Sequence, residues 1–236
     1  MTKVILIAIN HLRDQRWILI TMFAYAIGMS IVMGAVSGRP TADDTRFFVE
    51  QQMWFSVLFS VFLATAAVNT DMRTRRMLAI LSKAVERWQY LLGIVTSISI
   101  AIGAYCAMVA LLGYMLSTRG GHPLHGVVAL GAEVWVAALA VGCVGLFFGL
   151  ILPPLFATTA TLGFLTGVPL VGAKVGMWVV GLSPVTILLV QTIRKFHGVP
   201  QIRMSSAVLF TLGQGIVFFT LALFIFLRRD LSRPTE

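Results

Sequence analysis

This sequence predicts an all-α integral membrane protein, and three observations carry that reading. Of its 236 residues, 58% are hydrophobic and only 11% charged, where a soluble domain carries about 25% charge. The mean hydropathy is +0.91. Charge-free stretches recur at Trp17–Gly38, Gln51–Thr70, Trp88–Thr118, Val134–Ala173 and Met204–Leu227, and a bilayer crossing takes about 20 residues. Val134–Ala173 is long enough for two crossings, while Val175–Ile193 is shorter and borderline.

Taken in order, residues 2–16 predict an amphipathic helix. Val4, Ile5, Ala8 and Leu12 share a face flanked by Lys3, Arg13 and Arg16, which suits a helix lying in the membrane interface. The apolar stretch Val4–Ile9 is too short for a signal peptide, and His11, Arg13, Asp14 and Arg16 stand where a small-residue cleavage site would. Trp17, an interfacial aromatic, opens the first span, 17–36. Ser37-Gly-Arg-Pro40 breaks it, and Asp43, Asp44, Arg46 and Glu50 predict a short polar loop before span two, 51–68. A charged segment follows at 73–89, then span three at 90–116. Ser117-Thr-Arg-Gly-Gly-His-Pro123 is a turn by its Gly and Pro content. Span four covers 127–152. Pro153-Pro154 must interrupt it, since proline lacks a donor and clashes with the preceding turn. Spans five and six cover 155–173 and 204–227.

The segment 174–203 leaves two topologies open. Val175–Ile193 either crosses, giving seven spans, or re-enters, because Gly181-Leu-Ser-Pro184 would break a helix near its middle. Charge asymmetry does not separate them: with an inside N-terminus, 11 basic residues lie inside and seven outside in both cases. The positive-inside rule places the N-terminus and the charged segment in the cytoplasm.

The charged segment is the feature most suited to a soluble partner. Five of the chain's 18 basic residues, Arg73, Arg75, Arg76, Lys83 and Arg87, fall in it. Met77, Leu81, Ala84, Val85 and Trp88 recur at helical spacing and predict one apolar face. Such a helix lies on the membrane or docks into a groove of another protein.

Leu81-Ser-Lys-Ala-Val-Glu-Arg-Trp-Gln-Tyr-Leu-Leu-Gly93, with Asp71 ahead of it, resembles the cytoplasmic coupling helix of ABC-2 type transporter permeases. In that family leucines, a basic residue, Pro-Val, Ser-Arg and a Tyr-Leu-Leu-Gly run lead into the third span. The motif resemblance covers residues 71–93. The layout of the whole chain fits too, including Ser183-Pro184 before the last span. Ala84 replaces the common proline, Arg75-Arg76 stand where Gly-Thr is frequent, and Ile94 replaces the usual lysine. The resemblance implies six transmembrane helices, an N-terminal interfacial helix, a cytoplasmic coupling helix at 73–89 and an extracytoplasmic re-entrant hairpin at 174–203. It implies a separate ABC ATPase subunit that binds ATP and Mg, contacted through Arg75, Arg76, Leu78, Leu81, Ser82, Lys83, Val85, Glu86 and Arg87. It also implies a homodimer or a heterodimer with a similar permease, export, a plasma-membrane location and cytoplasmic termini.

The chain itself shows no nucleotide site. Gly167-Val-Pro-Leu-Val-Gly-Ala-Lys174 lacks the Gly-Lys step of a phosphate-binding loop, so no cofactor is expected in this chain. No catalytic residues are expected either, since no carboxylate pair, His-Glu-x-x-His or Ser/His/Asp set occurs in the spans. The formal charge of +9 sits at the ends of apolar runs, where it orients helices and meets anionic headgroups rather than nucleic acid. Cys106 and Cys143 lie in apolar runs without disulfide or metal spacing, and His122, His125 and His197 fall in outside segments. Glu133 is the one acidic residue inside an apolar run. It is a candidate for substrate contact, proton coupling, or an ion pair with Arg119 or Lys174. Trp54, Phe55, Phe59 and Phe62 either line a hydrophobic path or face lipid. Ala138/Gly142, Gly145/Gly149 and Gly163/Gly167 permit close helix approach. An ion-coupled secondary transporter, needing ionisable groups near the midplane, and a non-transporting membrane scaffold are the alternatives.

Overall fold

The computed structural model describes residues 2–36, 38–73, 85–121, 126–175, 184–196 and 204–228. Every regular element among them is helical: α1 (Thr2–Asp14), α2 (Arg16–Val36), α3 (Ala42–Arg73), α4 (Arg87–Gly120), α5 (Val127–Ile151), α6 (Pro154–Val175), α7 (Pro184–Phe196) and α8 (Met204–Arg228). Five of them, α2, α3, α4, α5 and α8, are long and apolar enough to cross a bilayer. Large apolar side chains such as Trp17, Ile31, Leu209 and Phe210 stand on the outside of the bundle. In water such a surface would associate; hydrocarbon solvates it. The chain is a multi-pass membrane protein.

The core is the pair α3 and α5. Two-thirds (67%) of the apolar window of α5 is buried, against 11% for α2. A stripe of small residues explains the close approach. A Cβ at Gly142 would lie 2.8 Å from Ser60 Oγ, one at Gly145 3.2 Å from Ala64 Cβ, and one at Gly149 3.3 Å from Thr65 Cα. Backbones meet where side chains are missing, and the Ser60 hydroxyl donates to the Ala138 carbonyl at 2.6 Å. Gly215 brings α8 equally near α5, 3.3 Å from Ala140 Cα to a Cβ built there. The pairs Ala138/Gly142 and Gly145/Gly149 thus pack within the subunit, while nothing lies within 4 Å of a Cβ at Gly163.

The helices overrun the apolar runs at several ends. The polar loop expected before span two is helical from Ala42, so Asp43, Asp44, Arg46 and Glu50 belong to α3. The cause is local. Thr41 N donates to Asp44 Oδ2 (2.9 Å), and Asp44 N donates back to Thr41 Oγ1 (3.2 Å). This reciprocal cap satisfies two orphan donors and places acidic residues at the positive end of the helix. The N-terminal helix stops at Asp14, one turn residue short of α2. Gly121, at φ 74°, ends α4 in a left-handed cap. Between α5 and α6 the chain breaks at Leu152-Pro153, and Pro154 takes the first helical position.

α7 has 13 residues, about 20 Å at 1.5 Å per residue, which is less than the ~30 Å of a hydrocarbon core. It starts partway along its neighbours. Val185 N donates to Gln214 Oε1 in α8 (3.4 Å), and Thr186 Oγ1 donates to the Leu165 carbonyl in α6 (3.4 Å). Both partners sit about ten residues inside their helices.

Candidate functional site

The described end of the charged segment, Val85–Arg87, runs into α4 and reaches the last turn of α8. Arg75, Arg76, Leu78, Leu81, Ser82 and Lys83 lie outside the described residues. The single helix expected over 73–89 does not hold: Val85 and Glu86 are not helical, and α4 begins at Arg87. Glu86 is extended (φ −74°, ψ 147°) and works as a cap. Its N–H donates to Gln89 Oε1 (3.3 Å), and its carbonyl accepts from Gln89 N (3.0 Å) and Tyr90 N (3.2 Å). Trp88 Nε1 donates to the Glu86 carboxylate. Trp88 therefore belongs to α4, while Val85 is half-buried and packs against the core.

Arg87 reaches the far end of the chain. Its Nη1 donates to the Phe226 carbonyl (3.2 Å) and to the Leu227 carbonyl (2.8 Å) at the last turn of α8. The final carbonyls of a helix have no intrahelical donor and carry the negative end of its dipole, so a guanidinium there is favourable. At the first position of its own helix the same cation is unfavourable, so the placement of Arg87 is explained by α8 and not by α4. Tyr90, one turn on, stacks on Phe226 with centroids 5.8 Å apart and planes at 23°; both rings are fully buried. α1 closes the same end: a Cβ on Gly93 would fall 2.6 Å from Ile7 Cγ2. Thus the start of α4, the end of α8 and α1 share one side.

Glu133 sits on α5 against α7. Its Oε2 accepts a hydrogen bond from Thr192 Oγ1 at 3.2 Å, and Thr192 is buried. Arg119, one suggested partner, extends toward α2, its Nη1 lying 3.5 Å from a Cβ built on Gly34. The side chain of Lys174 is outside the described residues, as are His122, His125 and His197.

The four aromatics of span two do not form one lining. Trp54 and Phe62 are exposed on the outside of the bundle. Phe55 and Phe59 turn inward and continue a ring series: Tyr25–Phe55 (4.5 Å), Phe55–Phe59 (6.3 Å), Phe59–Tyr105 (5.8 Å) and Phe23–Tyr105 (6.2 Å). Two amides that motif reasoning missed stand beside it. Tyr105 OH donates to the fully buried Gln52 Oε1 (2.5 Å), and Gln51 Nε2 donates to Tyr25 OH (3.4 Å). The sequence signal was the Gln51-Gln52 pair at the head of an apolar run.

Cys143 lines an apolar groove of about 190 Å³ between α4, α5 and α8, walled by Leu92, Val95, Leu212, Ile216 and Phe219. Cys106 is buried, and both thiols are free. Neither a family model nor a curated protein matches this sequence.

Proposed function

We propose that this chain is the membrane-spanning permease subunit of an ATP-driven exporter of the ABC-2 type. The observation that carries the reading is the position of the charged segment. It hangs between two candidate spans, α3 and α4, and its exit is built onto α1 and the end of α8 on one side of the bundle. A soluble partner gripping that segment would act on several spans at once. The motif resemblance of residues 71–93 supplies the identity of the partner, a separate ABC ATPase that binds ATP and Mg. Its nucleotide-driven closure would reach the spans as a rigid-body or gating shift.

Six spans, with both termini cytoplasmic in the plasma membrane, fit this reading. The start of α4 and the end of α8 share a side, so the crossings from α4 through α8 must be even in number. With α4, α5 and α8 crossing, α6 and α7 together must add an odd number. A 22-residue α6 crossing and a 13-residue α7 re-entering satisfy that. The permease would act as a homodimer or with a similar partner, exporting a hydrophobic or amphipathic substrate.

The test is replacement of Leu78 and Leu81 together by Asp, leaving the core-packed Val85 intact. The ATPase should be lost from a mild-detergent pull-down while the permease still inserts and runs as a folded species. Unchanged co-purification would sink the proposal.

A further inference from the structure

We infer that Arg87 is a positioning residue that ties the last span to the charged segment, so that movement of the segment displaces α8 as well as α3 and α4. This rests on the permease reading. Three observations converge. Arg87 directly follows the capping residue Glu86, where the segment passes into α4. Its guanidinium holds two backbone carbonyls of α8, so a shift of Arg87 is applied to the helix itself. The Tyr90–Phe226 stack one turn away keeps the two helices in register.

Farther along, α4 and α8 part around the apolar groove walled by Leu92, Val95, Leu212, Ile216 and Phe219. Tied at one end and separated above by open space, α4 and α8 can change their mutual splay without breaking a direct contact between them, while the close approach of α8 to α5 at Gly215 slides or moves with α8. The guanidinium is then the point about which α8 swings. Both bonds come from the single Nη1; a Lys would keep a charged nitrogen donor but lose the fixed plane of the guanidinium that aims it.

The experiment uses the complex purified with its ATPase and reconstituted in nanodiscs. Spin labels on cysteines at the lipid-facing positions Leu111 of α4 and Leu209 of α8 report the splay as a distance distribution, without nucleotide and with ATP plus Mg. In the otherwise unaltered protein the distribution should shift with nucleotide. Arg87→Ala should cut the population of the shifted distance by about tenfold or more, the scale of a lost charge-assisted hydrogen bond. Distances are compared in complexes carrying equal ATPase; loss of the ATPase from both Arg87 variants would assign the residue to the partner contact and overturn the inference. Arg87→Lys should fall in between, and it serves as the informative variant if the Ala form does not fold. A nucleotide shift that survives in both variants, or no shift of α8 in the parent, overturns the inference while leaving the permease reading intact. Absence of any co-purifying ATPase overturns both.

Discussion

Gly142→Ala tests the α3–α5 interface on which every span-to-span argument depends. A Cβ at Gly142 would lie 2.8 Å from Ser60 Oγ and 3.4 Å from Ile98 Cγ2. The first distance is well inside van der Waals contact. Ser60 cannot swing away freely, because its hydroxyl donates to the Ala138 carbonyl at 2.6 Å on the same α5. Either that bond breaks, at about 0.6 kcal/mol within a membrane, or α3 moves, at about 1–3 kcal/mol for overpacking. Against this, Ala gains about 1 kcal/mol of helix propensity over Gly. The net is near neutral if only the hydrogen bond yields and about 0–2 kcal/mol of destabilisation if α3 moves, and the anchored Ser60 favours the second. Gly163→Ala supplies the control, since nothing lies within 4 Å there and only the propensity gain remains. Heat-induced unfolding of the purified protein in one detergent should rank Gly142→Ala below the parent and Gly163→Ala at or above it. Adding Ser60→Ala removes the clashing oxygen and should recover most of the loss. Equal midpoints for the two alanine variants, or no rescue by Ser60→Ala, would refute the packing described for α3 and α5.

Two further changes probe the ends of the bundle. Glu133→Gln keeps an acceptor for Thr192 Oγ1, so insertion and unfolding midpoint should stay within about 0.5 kcal/mol; Glu133→Leu should cost about 1–2 kcal/mol by removing the partner of a buried hydroxyl. A large loss in the Gln variant would show that the negative charge itself holds α5 to α7. Gly93→Leu places carbon inside Ile7, only 2.6 Å from the Cβ position, and should push α1 off α4. Limited proteolysis at Lys3 and Arg13 should then speed up, and unchanged protection would mean that α1 is not docked there.

The helical spans were legible because charge-free runs of membrane length have few other physical solutions. What was missed has specific causes. The polar stretch Asp43–Glu50 looked like a loop because its charges were counted and its cap was not; Thr41 and Asp44 form a capping pair at short range, so a search for caps would have found it. The break at Glu86 was hidden by an apolar periodicity that continues through Val85 and Trp88 although the helix does not. Arg87 looked like a rim charge because two backbone carbonyls that it holds lie 139 and 140 residues away, and no local pattern encodes such a contact. The same contact bears on the topology that charge counting left open, since it ties the two sides of the uncertain segment 174–203 by parity. The aromatics of span two were visible as a group, but only tertiary packing divides Phe55 and Phe59 from Trp54 and Phe62.

The most direct test of the central proposal is purification of the full chain from its native membrane in mild detergent, with identification of what comes with it. The permease reading predicts a stoichiometric ATPase and a preparation that hydrolyses ATP in the presence of Mg. A folded, membrane-extracted protein that brings no ATPase in several detergents would contradict it and move the secondary-transporter and scaffold alternatives ahead.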